Sequence, residues 1–119
     1  MKTKLPETCW DEVLPRFSKQ TILVIGDIML DEYIWGDVER ISPEAPVPVV
    51  RVNKETWVPG GAANVANNIR ALGGRAIICG LIGADQPGKK LRSLLKQSRI
   101  DPRGLITDRK RPTVNKSRI

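Results

Sequence analysis

The sequence predicts an α/β fold that carries a small inserted β layer. Two continuous apolar runs rich in β-branched residues, at 21–26 and 76–82, have the character of strands buried in a parallel sheet. Each is followed by a segment with apolar residues at helical spacing. Between the first run and its helix lie short strand-like stretches over about 32–59. The resulting order is β, inserted β layer, α, β, α, β, with the crossover connections a parallel sheet requires.

The elements follow in chain order. Trp10, Val13, Leu14 and Phe17 fall at helical spacing, so residues 7–18 predict a short amphipathic helix, with Pro15 an awkward interior residue. Residues 1–20 are thus expected to form a helical extension ahead of a domain at 21–119. The run at 21–26 predicts the first buried strand, with Asp27 and Asp31 at its C-terminal end. Residues 33–35 and 47–52 predict short strands, and Pro48 confines the second to an edge or a strand start. Asn53, Lys54 and Glu55 predict a turn into a further strand at 56–58.

Gly60 and Gly61 open a helix whose apolar face is expected to be Ala62, Val65, Ala66, Ile69 and Leu72, and Gly73-Gly74 stop it. The second buried strand, 76–82, ends at Gly83. Asp85 is placed to cap the next helix, whose core face is Leu91, Leu94 and Leu95 and whose other face carries Lys89, Lys90, Arg92 and Lys96. A loop follows Ile100-Asp101-Pro102, then the short apolar pair Leu105-Ile106, then a strand-like end at 112–119. With no helix after that last strand, the parallel sheet is expected to be unfinished, with an exposed edge that favours aggregation.

Composition removes several functions. The 119 residues include no histidine, which excludes a Ser-His-Asp triad, an HExxH metalloprotease and any imidazole base. Two isolated cysteines, Cys9 and Cys79, leave no zinc site, and Cys79 suits a small buried hydrophobe. No apolar run approaches the roughly 20 residues of a membrane span. Asp11, Glu12 and Arg16 interrupt any signal-peptide core, so a cytoplasmic location is expected. The net charge of +7 is concentrated after residue 86, where 11 basic side chains face 2 acidic ones. Such a basic tail suits a nucleic-acid or phosphate-bearing partner, and equally a segment whose acidic counterparts lie outside residues 1–119. Aromatic content of 4% and the lack of a known motif argue against nucleic acid.

The most informative stretch is residues 60–66. Glycines at a helix start let backbone N–H groups approach a ligand where the helix dipole favours oxygen-rich groups, and Asn64 falls on the first turn. A tight loop with a capped helix explains the glycine pair equally well. The longer pattern separates the two readings. Gly60, Gly61, Ala62, Asn64, Ala66, Gly73 and Gly83 match, at every spacing, the N-terminal pattern of the ribokinase-like (PfkB-type) carbohydrate kinases. The stretches GDIMLD at 26–31, GDVERISPEAPVPVV at 36–50 and RPTVNKSR at 111–118 resemble the heptose-7-phosphate kinase branch, found as the kinase domain of bifunctional heptose kinase/adenylyltransferases. The resemblance runs from Thr21 almost to the end.

This resemblance implies the N-terminal part of a ribokinase-like α/β sandwich with a small β-sheet lid at about 32–59. It places Asp31 as the sugar-binding aspartate, which suits a carboxylate able to accept hydrogen bonds from adjacent hydroxyls. Gly60 and Gly61 become the hinge and sugar-facing glycines, and Asn64 a hydroxyl-binding asparagine. Met29 stands where many relatives have asparagine, so either the sugar differs from ribose or that contact is lost. Trp35 and Trp57 become lid or dimer-core residues, or packing only. Lys116 and Arg118, two apart on one extended segment, share a face and are candidates for the substrate's 7-phosphate or a nucleotide phosphate. In the complete enzyme the family uses ATP and Mg²⁺, and its lids often pair into a homodimer.

The family's catalytic aspartate lies in a Gly-x-Gly-Asp motif that residues 1–119 do not contain. The chain alone is therefore expected to have no catalytic or metal-binding residue, to hold neither ATP nor Mg²⁺, and to bind a phosphorylated sugar at most. A dimerisation module with a vestigial sugar site is the alternative, as is another sugar kinase of the family.

Overall fold

The computed structural model describes residues 8–119, which form two three-stranded sheets and their connecting helices. The expected helix start at residue 7 lies outside the described residues. Helix α1 spans Thr8–Val13 and tightens into a 3-10 turn over Leu14–Lys19. Pro15 explains the change, because it has no N–H for an α-helical bond but fits the opening of a new turn.

The first sheet contains β1 (Thr21–Ile25), β4 (Arg75–Gly83) and β5 (Asp101–Asp108), all parallel, in the order β1-β4-β5. Helices α2 (Ala62–Ala71) and α3 (Gln86–Gln97) lie between them in the chain. Ile78, Ile82, Leu91, Leu95, Ile100 and Leu105 are buried together with Ile28 and Leu30, so one core joins both sheets. Side chains alternate across the pleat. The alternate set on β1, β4 and β5, namely Leu23, Ile25, Leu81 and Ile106, is exposed, Ile25 by 72%.

Three expectations about this sheet need correcting. Strand β1 is an edge strand and largely exposed, not buried, because only β4 pairs with it. The loop expected after Ile100-Asp101-Pro102 lies within strand β5, whose register slips opposite the Ile77–Cys79 segment and so accommodates Pro102 on a sheet edge. The buried face of α2 is Ala63 and Ala66, with Ala62 and Ile69 partly buried, while Val65 and Leu72 are exposed. Alanine admits the close approach of helix to sheet that valine and leucine would prevent. The stop at Gly73 is as expected, since its φ of 91° suits glycine and its N–H donates to the Arg70 carbonyl at 3.0 Å.

The second sheet has the order β3-β2-β6, from β2 (Ile28–Ile41), β3 (Pro48–Gly61) and β6 (Val114–Arg118). β2 and β3 form one long antiparallel hairpin in place of several short strands. The turn expected at 53–55 is instead a bulge. Lys54 faces Trp35 and Val52 faces Gly36, so Asn53 is the extra residue. Its amide donates to the Asp37 carboxylate at 2.7 Å. Pro48 does begin an edge strand, as its missing N–H demands. The final strand, β6, does not extend the first sheet. It pairs in parallel with β2, placing Lys116 opposite Asp31 and Arg118 opposite Tyr33.

Candidate sugar site on the second sheet

The site begins with the chain's behaviour after β1. Gly26 and Asp27 form a short bend, and Ile28 immediately starts β2. Ile28 and Leu30 point into the core, so Met29 and Asp31 must point to the opposite face. Asp31 therefore lies inside β2 and not at the end of β1, correcting the expectation. Its side chain is only 19% exposed.

Pairing across β2 fills that face. Gly60 lies opposite Met29, and a Cβ built on it would overlap the Asp31 carboxylate. Gly60 is thus the residue that lets a strand pass beside the carboxylate. Gly61 adopts φ 58°, and a Cβ there would strike the Asp27 carbonyl oxygen. That carbonyl accepts a hydrogen bond from the Ala62 N–H at 2.8 Å, turning the chain into α2. The Ala62 N–H is thus taken by backbone, and no side chain caps α2 at its N-terminus.

From the other side, β6 brings cations. The Arg118 guanidinium donates to Asp31 at 3.0 Å and to the Tyr33 hydroxyl at 3.0 Å, and lies 5.2 Å from the Tyr33 ring centroid. Lys116 is beside Asp31 in register and makes no ion pair among the described residues. Asp31, Gly60, Lys116 and Arg118 are thus gathered on one face. Gly61 adjoins them beside Met29. Asn64 is exposed on the first turn of α2 and is not among the side-chain hydrogen-bond partners of Asp31 and Arg118 in the described residues.

The opposite face explains why β6 holds its register. Glu32 accepts from the Ser117 hydroxyl, from the Asn115 amide at 3.2 Å and from the Trp57 indole N–H at 3.2 Å. The Ser117 and Asn115 bonds hold its carboxyl below the usual range. Trp57 also carries Lys90 over its ring at 4.6 Å and packs against the core, so it is a packing residue. Trp35, farther along the hairpin, is exposed.

A second clasp sits just before β6. Asp85 caps α3 through the Gly88 N–H at 2.9 Å, as its position predicts. It also accepts from Thr113, from the hydroxyl at 2.6 Å and the N–H at 2.8 Å. The Thr113 hydroxyl in turn accepts from the Gly83 N–H at 2.8 Å. These bonds, Thr113 first, lower the Asp85 carboxyl's pKa. Sequence reasoning gave Glu32 and Thr113 no role. The alternation of Asn115 and Ser117 with Lys116 and Arg118 was the available signal, since it marks two faces with different partners.

Chemically, the face offers a hydroxyl acceptor beside two cations. A cleft of about 230 Å³ opens next to it at the C-terminal ends of β1 and β4, lined by Asp27, Gly80, Asp108 and Arg111 among others. Among the described residues no cluster of three or more His, Cys, Asp or Glu could hold a metal ion. No helix of the described residues is long and apolar enough to cross a membrane.

Known proteins agree with this architecture. The pfkB family carbohydrate kinase model matches residues 19–116. Bifunctional protein HldE of Gluconacetobacter diazotrophicus is 55% identical over 103 residues, covering 87% of this chain and 21% of that protein. Bifunctional protein HldE of Helicobacter pylori is 53% identical over 98 residues, 82% of this chain and 21% of that protein. The chain thus spans about a fifth of the length of these curated relatives. Among solved structures, aminoimidazole riboside kinase from Salmonella enterica, complexed with aminoimidazole riboside and an ATP analogue, superposes with a TM-score of 0.60. It is 24% identical, over 82% of this chain and 28% of that one. With most of its length matched by the family model, the chain belongs to the pfkB family of carbohydrate kinases.

Proposed function

We propose that residues 21–119 are the sugar-binding part of a kinase for D-glycero-D-manno-heptose 7-phosphate, with the second sheet as a lid over the sugar. The observation that supports this most is the meeting of Asp31 with Lys116 and Arg118 on one face of that sheet. A carboxylate suits sugar hydroxyls, and paired cations suit a phosphate at the far end of the same sugar. Similarity to the HldE proteins, at about half the residues, favours a heptose phosphate over other sugars.

On this reading the whole enzyme transfers the γ-phosphoryl group of ATP, as its Mg²⁺ complex, to C1 of the heptose, supplying a precursor of the lipopolysaccharide core in the cytoplasm. Residues 8–119 contribute binding and orientation. Asp31 fixes the hydroxyls, Gly60 and Gly61 leave the sugar room, Asn64 adds an amide from α2, and Lys116 and Arg118 hold the 7-phosphate. The base and the nucleotide site belong to other parts of the enzyme, so the 119-residue chain binds without turning over.

Isothermal titration of the chain with heptose 7-phosphate and with unphosphorylated heptose tests this. The phosphorylated sugar is expected to bind at least about tenfold more tightly, an advantage lost in Lys116→Gln/Arg118→Gln. Equal affinity for the two sugars would remove the phosphate role from β6.

A further inference from the structure

At the opposite end of the first sheet lies a second basic site. The starts of β1, β4 and β5 meet the C-terminal ends of α2 and α3 around a cavity of about 580 Å³. Arg70, Arg75, Arg99 and Arg103 line it, with Asp101 as the one carboxylate. Arg103 is already matched, because its guanidinium pairs with Asp101 at 2.7 Å. Arg70, Arg75 and Arg99 make no ion pair among the described residues.

Two details single out this cluster from ordinary surface charge. Arg70 donates one N–H to the Gly74 carbonyl at 2.6 Å, but its Nε is buried with no hydrogen-bond partner among the described residues. A buried guanidinium N–H without an acceptor is costly, because its lost hydration is not replaced. Arg99 has φ 57°, at the left-handed position that ends α3, where the Ile100 N–H closes on the Leu95 carbonyl at 2.9 Å. Glycine is the usual residue there, and any side chain is strained. An arginine at a glycine position, lining the same cavity as Arg70, is local strain of the kind that accompanies ligand sites.

We propose that this cavity binds a small multivalent phosphate anion, held by Arg70, Arg75 and Arg99. Planar guanidinium groups donate paired N–H bonds to phosphate oxygens, and three of them around a concave site match a charge of two or more. The site lies at the N-terminal ends of the parallel strands, away from Asp31, so it is separate from the sugar face and independent of the reading given above.

Pyrophosphate is the probe, titrated into the 119-residue chain by calorimetry and thermal denaturation against chloride at matched ionic strength. The expected result is saturable binding that raises the melting temperature of the wild type. Arg99→Gly separates binding from folding, because removing the strained side chain should raise the melting temperature without ligand while weakening pyrophosphate about tenfold. Arg75→Gln should weaken binding similarly. The proposal is overturned if no saturable binding occurs, or if binding survives both substitutions. It is equally overturned if Arg118→Gln abolishes binding while Arg99→Gly does not, since the anion would then sit on the second sheet.

Discussion

Asp85→Ala is expected to lower stability by roughly 2–3 kcal/mol and the melting temperature by about 10 °C. The substitution removes the cap on α3 and two hydrogen bonds to Thr113, leaving the Thr113 N–H without its acceptor. Asp85→Asn keeps the shape and one acceptor oxygen, so its loss should be about half as large. The effect is local in origin but reaches the proposed sugar face, because Thr113 directly precedes β6. Acid should produce a loss of the same origin in the wild type, nearer in size to that of Asp85→Asn, since a protonated carboxyl also keeps one acceptor oxygen. The folded-state pKa values of Asp85 and Glu32 are lowered, so their stabilisation is fully present above the ordinary carboxylate range. It is lost as pH falls below about 4 and through the lowered values. Thermal melts from pH 7 to pH 2 check both statements. An Asp85→Ala chain that melts like the wild type at neutral pH would remove the clasp from the account.

Gly60→Val is expected to weaken heptose 7-phosphate binding about 100-fold, more than any polar substitution on the same face. The new side chain would enter the space of the Asp31 carboxylate, displacing the hydroxyl acceptor and occupying room for the sugar. Asp31→Asn should cost about tenfold, because an amide keeps one acceptor oxygen but loses the charge and the ion pair with Arg118. Calorimetric titration of both variants gives the order. If Gly60→Val bound as well as Asp31→Asn, the close packing of β3 on Asp31 would have no bearing on the ligand.

Much of this architecture was legible from local pattern. The 76–82 run, the leucine face of α3, the Asp85 cap and the Gly73 stop each depend on residues within one or two turns of each other. What escaped local reading depends on partners far along the chain. Asn53 looks like a turn residue, yet its place is fixed by the bulge opposite Trp35 and Gly36. The apolar face of α2 was misjudged because side-chain size does not reveal which neighbour is close. The sheet selects Ala63 and Ala66, leaving Val65 and Leu72 exposed. The destination of β6 was hidden for the same reason, since its register is set by Glu32 and Asp85, some 80 and 30 residues earlier. The candidate ligand residues themselves were named by resemblance. Their convergence comes from the β2–β6 pairing, which leaves Asn64 outside the hydrogen-bonded group.

The most direct test of the sugar-site account is an amide chemical-shift titration of the ¹⁵N-labelled chain with D-glycero-D-manno-heptose 7-phosphate. The account predicts saturable shifts concentrated at Asp31, Gly60, Gly61, Asn64, Lys116 and Arg118, with the Arg118 side-chain N–H signals moving as its bond to Asp31 is exchanged for phosphate. Shifts confined to other residues, or none at saturating sugar phosphate, would contradict it.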